Sequence, residues 1–135
     1  MSLQYSVTVR NAKLDAVETS IGADAVMKVR TGAPPADCSL ADSGSVLATL
    51  NLPSDWMAAA AGGSKSKNGS WEDTSADGTG TAGHFRIYDS GGSACHIQGT
   101  ITATSGGGDM EVDNTSFAAG QQFQVTSFTI TAGNA

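Results

Sequence analysis

Hydrophobic and polar positions along this 135-residue chain change period once, early, and then keep one period to the end. In "QYSVTVRNAKLDAVETSIG" the apolar residues Val7, Leu14, Val17 and Ile21 recur at helical spacing, while Arg10, Lys13, Asp15 and Glu18 fall elsewhere. Ser6 is placed to cap the start of this helix and Gly22 to end it. Such a helix either covers its own sheet or docks on a neighbouring subunit, and covering its own sheet is the plainer expectation. From residue 23 the period becomes two. "AVMKVRTG" sets Met27, Val29 and Thr31 against Val26, Lys28 and Arg30, and "SVLATLNL" follows as a short apolar strand that Pro53 stops. Between them, the prolines of "APPADCSLADSG" bar a strand. "SDWMAAAAGGSKSKNGS" reads as one helical turn and then a loop with too few apolar groups to pack.

The second half predicts strands near 70–74, 82–89, 94–104, 109–114 and 121–132, separated by "DGTG", "DSGGS", "TSGGGD" and "SFAAGQ". Short strands with turn chemistry between them and no intervening helix predict an all-β fold. We expect an antiparallel β-sandwich or jelly-roll with a short N-terminal amphipathic helix. Length favours one domain over 1–135, with residues 1–22 helical and 23–135 forming the sandwich.

Charge narrows the partners. Residues 1–67 carry six basic and six acidic side chains, whereas 68–135 carry seven acids against Arg86 alone. No Lys/Arg cluster suited to phosphate exists, so nucleic acid is not an expected partner. No apolar run spans a bilayer and the N-terminus lacks a leader pattern, so neither a membrane nor a secretory route is expected. A cytoplasmic setting favours reduced Cys38 and Cys95, with a bridge between sheets left open. Two Cys and two His lack the paired spacing of a zinc site, and no cofactor or metal is expected. The two glycosylation-type triplets, at Asn68 and Asn114, carry no weight without a leader.

"GHFRIYDSGGSACHIQGTITA" holds both histidines. Strand alternation groups Phe85 with Ile87, and Cys95 with Ile97, Gly99 and Ile101. The opposite faces take His84, Arg86 and Tyr88, and His96, Gln98 and Thr100. Cys95 is thereby kept from either imidazole, which a Cys–His pair cannot tolerate. The stretch reads as a hairpin with a polar outer face. No serine-nucleophile elbow or phosphate loop is present, and no catalytic residue is expected. Asp109, Glu111 and Asp113 in "DMEVDN" share one strand face. They read as edge protection, with a cation site as the alternative. Trp56 and Trp71 flank the Gly/Ser/Lys loop and fit three uses: a protein contact, a sugar platform, or closure of one end of the core.

Longer phrases carry a resemblance. "RNAKLDAVETSIG", "RTGAPPADC", "SVLATLNLPSDWMAAAAGGSK", "WEDTSADGTGTAGHFRIYDS", "CHIQGT" and "TSFTITAGNA" are similar to a family of small proteins encoded among the structural genes of tailed bacteriophages. The resemblance implies a non-enzymatic virion component present in many copies and assembled in the bacterial cytoplasm. Within a virion the expected role is a capsid decoration (cement) protein, expected as a trimer bound to the major capsid protein. The alternative is a tail, neck, baseplate or fibre component with a receptor- or carbohydrate-binding role, its surface formed by Trp56, Trp71, Tyr88 and His84. Three contact regions are expected for the cement role. They are the N-terminal Tyr5, Val7 and Val9; the loop Pro53–Ser70 with Trp56, Lys65 and Lys67, and Trp71 beyond it; and the basic strand face of Lys28 and Arg30, facing the acidic half of an adjacent copy.

Overall fold

The computed structural model describes residues 3–133; the outermost two residues at each end of the expected 1–135 domain lie outside the described residues. The chain is β-rich, with one helix and several sheets. Helix α1 (Val7–Ile21) starts where Ser6 Oγ accepts the Val9 N–H and ends where the Gly22 N–H bonds the Glu18 carbonyl, so both caps fall where the sequence put them.

The main sheet is built from β1 (Val26–Thr31), β2 (Val46–Asn51), β5 (Gly80–Tyr88), β6 (Cys95–Ala103) and β7 (Met110–Val112), in the order β2-β1-β5-β6-β7, with β8 (Ser116–Phe117) paired to the start of β5. Two small ladders complete the fold. β3 (Ser64–Ser66) pairs with β10 (Thr129–Thr131), and β4 (Trp71–Asp73) pairs with β9 (Phe123–Val125). The single strand expected over 121–132 is therefore two, which pair with different partners.

One cluster joins most of these pieces. Met27 and Val29 of β1, Leu47 and Leu50 of β2, Phe85 and Ile87 of β5, and Ile101 of β6 pack with Trp71, Phe123, Val125 and Phe128. The aromatic rings interlock: Phe85 meets Phe128 edge-on at 5.6 Å, Phe128 lies 5.7 Å from Trp71, and Trp71 lies 6.0 Å from Trp56. Burying several such side chains is the main stabilising term, at roughly 2–3 kcal/mol each.

Two local features depart from the sequence expectation. The stretch read as a loop with too few apolar groups to pack contains a tight hairpin. Ala61 and Ser64 exchange backbone hydrogen bonds around Gly62 and Gly63, both at positive φ, which is the two-residue turn that matches strand twist. The second is that β7 runs parallel to β6 after only six residues, although parallel pairs ordinarily need a long crossover. Side chains make the short return possible. Asp109 accepts from the Thr100 N–H (2.9 Å) and hydroxyl (3.1 Å), Glu111 from the Ser105 and Gly107 N–H groups, and the Thr102 hydroxyl from the Gly108 N–H. Asp109 and Glu111 are thus acceptors for their own loop. Asp109→Ala is expected to cost up to about 1 kcal/mol, because the Thr100 donors are exposed and water can replace the carboxylate. Urea denaturation of the two proteins side by side checks this.

Edge strand β2 is also covered: Asp73 accepts the Thr49 N–H, and the Asp77 and Gly78 N–H groups bond the Leu47 carbonyl. An edge satisfied this way is a poor template for strand addition.

Candidate functional site

Strand β5 is the centre of the molecule and is buried on both faces. Its Phe85/Ile87 face meets the aromatic core. Its other face, expected to meet solvent, is covered by the Pro-containing connection between β1 and β2. His84, Arg86 and Tyr88 are all at most 1% exposed.

Asp42 in that connection organises the contact. Its carboxylate receives Arg30 Nη2 at 2.9 Å, the Tyr88 hydroxyl at 2.7 Å, and Arg86 Nη1. Arg86 Nη2 also donates to the carbonyls of Asp37, Cys38 and Leu40, and its Nε to Gln98 Oε1, while Gln98 Nε2 donates to the Pro35 carbonyl. Arg86 thus holds the connection with its two terminal nitrogens and β6 with its Nε. His84 Nδ1 meets the Gly32 carbonyl at 2.8 Å, while its Nε2 is buried without a partner. This corrects the outward placement of His84, Arg86 and Tyr88. The physical reason is that a loop rich in unpaired carbonyls needs donors, and the polar face of β5 supplies them. His96, by contrast, is exposed, 4.0 Å from Asp89.

A β-bulge corrects a second placement. Ile87 pairs with Ile97 but Tyr88 pairs with Cys95, so His96 is the extra residue and the alternation of β6 slips by one. Cys95 therefore lies on the Tyr88–Arg86 side, not with Ile97. Its Sγ is 3.0 Å from the Sγ of Cys38 in the covering connection, and both thiols are free.

Helix α1 docks on the chain's own hairpin through a stripe of mixed chemistry. Leu14 and Ile21 are buried. On the same stripe Asn11 accepts the Gly63 N–H, Asp15 the Ala60 N–H, and Glu18 the Met57 N–H. Lys65, 2% exposed, lies 2.7 Å from Asp15 and 3.0 Å from Glu18. Two expectations change here. Asp15 and Glu18 belong to the docking face, and Lys65 is an internal ion-pair partner rather than a cation offered to a capsid surface. The cause is again backbone accounting: the turn preceding Lys65 presents N–H groups that helix carboxylates satisfy. Val7, grouped with Leu14 by spacing, is 49% exposed, because the docked stripe begins at Arg10 and Asn11 and leaves the first turn projecting.

The remaining candidates divide sharply. Trp56 and Trp71 are fully buried; Trp56 Nε1 donates to the Gly22 carbonyl and Trp71 Nε1 to the Trp56 carbonyl. Arg30 is buried at 7% exposure. Trp56, Trp71, Tyr88 and His84 therefore do not form an exposed aromatic surface, and the Lys28/Arg30 face keeps only Lys28 near solvent, with its Nζ 5.2 Å from the Tyr88 ring centroid. Lys67 is half-buried and bonds the Gly69 carbonyl. Tyr5, Val7 and Val9 are exposed, and Leu3 (74%) and Leu40 (49%) join them as large exposed apolar side chains. Leu3 and Leu40 stand in no periodic pattern, so alternation could not single them out. Asp42 was equally hidden, as one acid in an irregular loop.

The charged clusters set a pH window. A hydrogen bond from Lys65, then one from the Ala60 N–H, holds the Asp15 carboxyl below its ordinary value. Partial burial pushes Asp42 the other way, but Tyr88, Arg86 and Arg30 together carry it below the ordinary range. Burial disfavours charge on Lys65, yet Asp15 and Glu18 outweigh it and raise the ammonium. Burial, then the bond to Asp42, raises the Tyr88 phenol. Depressed carboxyls stabilise the fold above about pH 4 and lose that contribution as pH falls through their folded values. Raised Lys65 and Tyr88 stabilise it below about pH 10 and lose that contribution as pH rises through theirs. Stability by chemical denaturation is expected to be flat between about pH 5 and 9 and to fall on both sides.

Among the described residues no group of three or more His, Cys, Asp or Glu side chains is placed to hold a metal ion, and no helix is long and apolar enough to cross a membrane. No protein family, curated protein or solved structure matches the chain.

Proposed function

We propose that this chain is a non-enzymatic structural subunit of a tailed-bacteriophage particle, a capsid decoration protein that docks on its neighbours through its N-terminal segment. The observation that carries the docking role is the run of exposed apolar side chains Leu3 and Tyr5, in the segment leading into α1, and Val7 and Val9, in its first turn, on a helix whose other stripe is already anchored to its own chain. Exposed apolar side chains grouped on a projecting element are what a subunit contact buries. The phrase-by-phrase resemblance to phage structural proteins supplies the setting. Many copies, self-associated and bound to the major capsid protein, would make a weak individual contact effective. We further read the small ladders as packed across the main sheet in the manner of a sandwich or jelly-roll. The supporting fact is that Trp71, Phe123 and Val125 share one core with β1 and β5.

Cryo-electron microscopy of the particle, combined with a Val7→Asp/Val9→Asp variant, tests this. Hundreds of copies on the icosahedral shell, lost in the variant while its melting temperature stays unchanged, support the reading. A few copies at the tail or neck replace decoration with a tail component. Undiminished incorporation of the variant overturns the N-terminal contact.

A further inference from the structure

We propose that Cys38 and Cys95 are an oxidative modification site, forming an intramolecular disulfide that staples the β1–β2 connection to β6. Their sulfurs lie 3.0 Å apart, about 1 Å beyond a bond. Both residues sit on braced backbone. The Cys38 carbonyl accepts from Arg86 Nη2 at 3.1 Å, and Cys95 is held opposite Tyr88 by the bulged ladder. The pair borders an open groove of about 610 Å³ shared with Ser39, Leu40, Asp42 and Ser93, so a small oxidant reaches the sulfurs from solvent.

A low-molecular-weight disulfide such as oxidised glutathione balances the chemistry. The Cys38 sulfur, as thiolate, attacks one glutathione sulfur, breaks the glutathione S–S bond and releases one glutathione, which takes up a proton. The Cys95 sulfur, after giving its proton to solvent, attacks the Cys38 sulfur and expels the second glutathione as thiol. Two electrons pass from the cysteine pair to the oxidant, and two glutathione thiols result. The order follows from the local chemistry. Burial, then the hydrogen bond to Cys38, pushes the Cys95 thiol up to about 12, which makes it the resolving partner. The bond joins the connection that carries Asp42 to the strand that carries Gln98, the two sides between which Arg86 is held.

The test uses the full chain in glutathione buffers of increasing oxidation, read by intact mass, by iodoacetamide labelling and by melting temperature. The expected result is loss of two hydrogens in a monomer, protection of both thiols, and a melting temperature higher by on the order of 10 °C. That rise should be absent in Cys38→Ala. Thiols that stay fully alkylatable in excess oxidised glutathione overturn the proposal, as does oxidation that gives only glutathione adducts or cross-linked dimers. Should Cys38→Ala fail to fold, wild-type labelling and mass decide alone.

Discussion

Asp42→Ala is expected to destabilise the protein by about 2–4 kcal/mol: removing one partner of a fully buried ion pair costs about 3–5 kcal/mol, and the solvent that reaches Asp42 lessens it. The aspartate itself is partly open, with its side chain 37% exposed, but its partners are not: the Arg30 and Arg86 side chains are 9% and 2% exposed. Deleting the carboxylate leaves two buried guanidinium groups and the Tyr88 hydroxyl facing one another with no anion between them. Asp42→Asn keeps an acceptor but not the charge, and should fall between wild type and alanine. Asp37→Ala, in the same connection, is the control; Asp37 bonds its neighbour Ser39 and is exposed, so its effect should stay within about 1 kcal/mol. Equilibrium denaturation of the three variants ranks them. An Asp42→Ala protein within 1 kcal/mol of wild type would show that the covering connection contributes little to stability.

The Asp42 cluster also marks where sequence reasoning stops. Helix α1, its caps and most strands of the main sheet follow from local spacing, because each is decided by residues three or four apart in a helix and two apart in a strand. The face that a strand turns to solvent is not decided locally. His84, Arg86 and Tyr88 look like an outer face until a loop some forty residues earlier folds over them, and no periodicity encodes that return. The bulge at His96 is similar: one extra residue moves Cys95 across the sheet, and alternation has no means of seeing it. Asp15, Glu18 and Lys65 carry the same lesson for the helix. Charged residues on an amphipathic helix are assigned to water by default, yet here they answer backbone N–H groups of a distant turn. One missed element was legible: "AAGGSK" has the Gly-Gly pair of a tight hairpin, and its polar surroundings obscured it. Of the residues expected at partner contacts, Tyr5, Val7 and Val9 lie exposed, whereas Trp56, Trp71, Arg30 and Lys65 are buried.

Trp56→Ala should be the other severe substitution, costing about 3–5 kcal/mol as expected for removing a fully buried tryptophan. Its indole is 0% exposed, lies 6.0 Å from the Trp71 ring, and ties the end of α1 to the core through the Gly22 carbonyl. Truncation opens a cavity beside Trp71 and releases the helix C-terminus in one step. Trp56→Phe refills part of the volume but cannot donate to Gly22, so it should recover roughly half of the loss. Near-ultraviolet circular dichroism, which reads the paired indoles, should collapse in the alanine variant and persist in the phenylalanine one. On the proposed decoration role, the same pair of variants also tests particle assembly. A tryptophan that met the capsid directly would make Trp56→Phe fail at incorporation while remaining folded. A tryptophan that only holds α1 in place predicts the reverse: incorporation follows stability, and the phenylalanine variant still joins the particle. The complete burial of Trp56 favours the second outcome. It makes the projecting first turn of α1, rather than the indole, the element that a neighbouring subunit would touch.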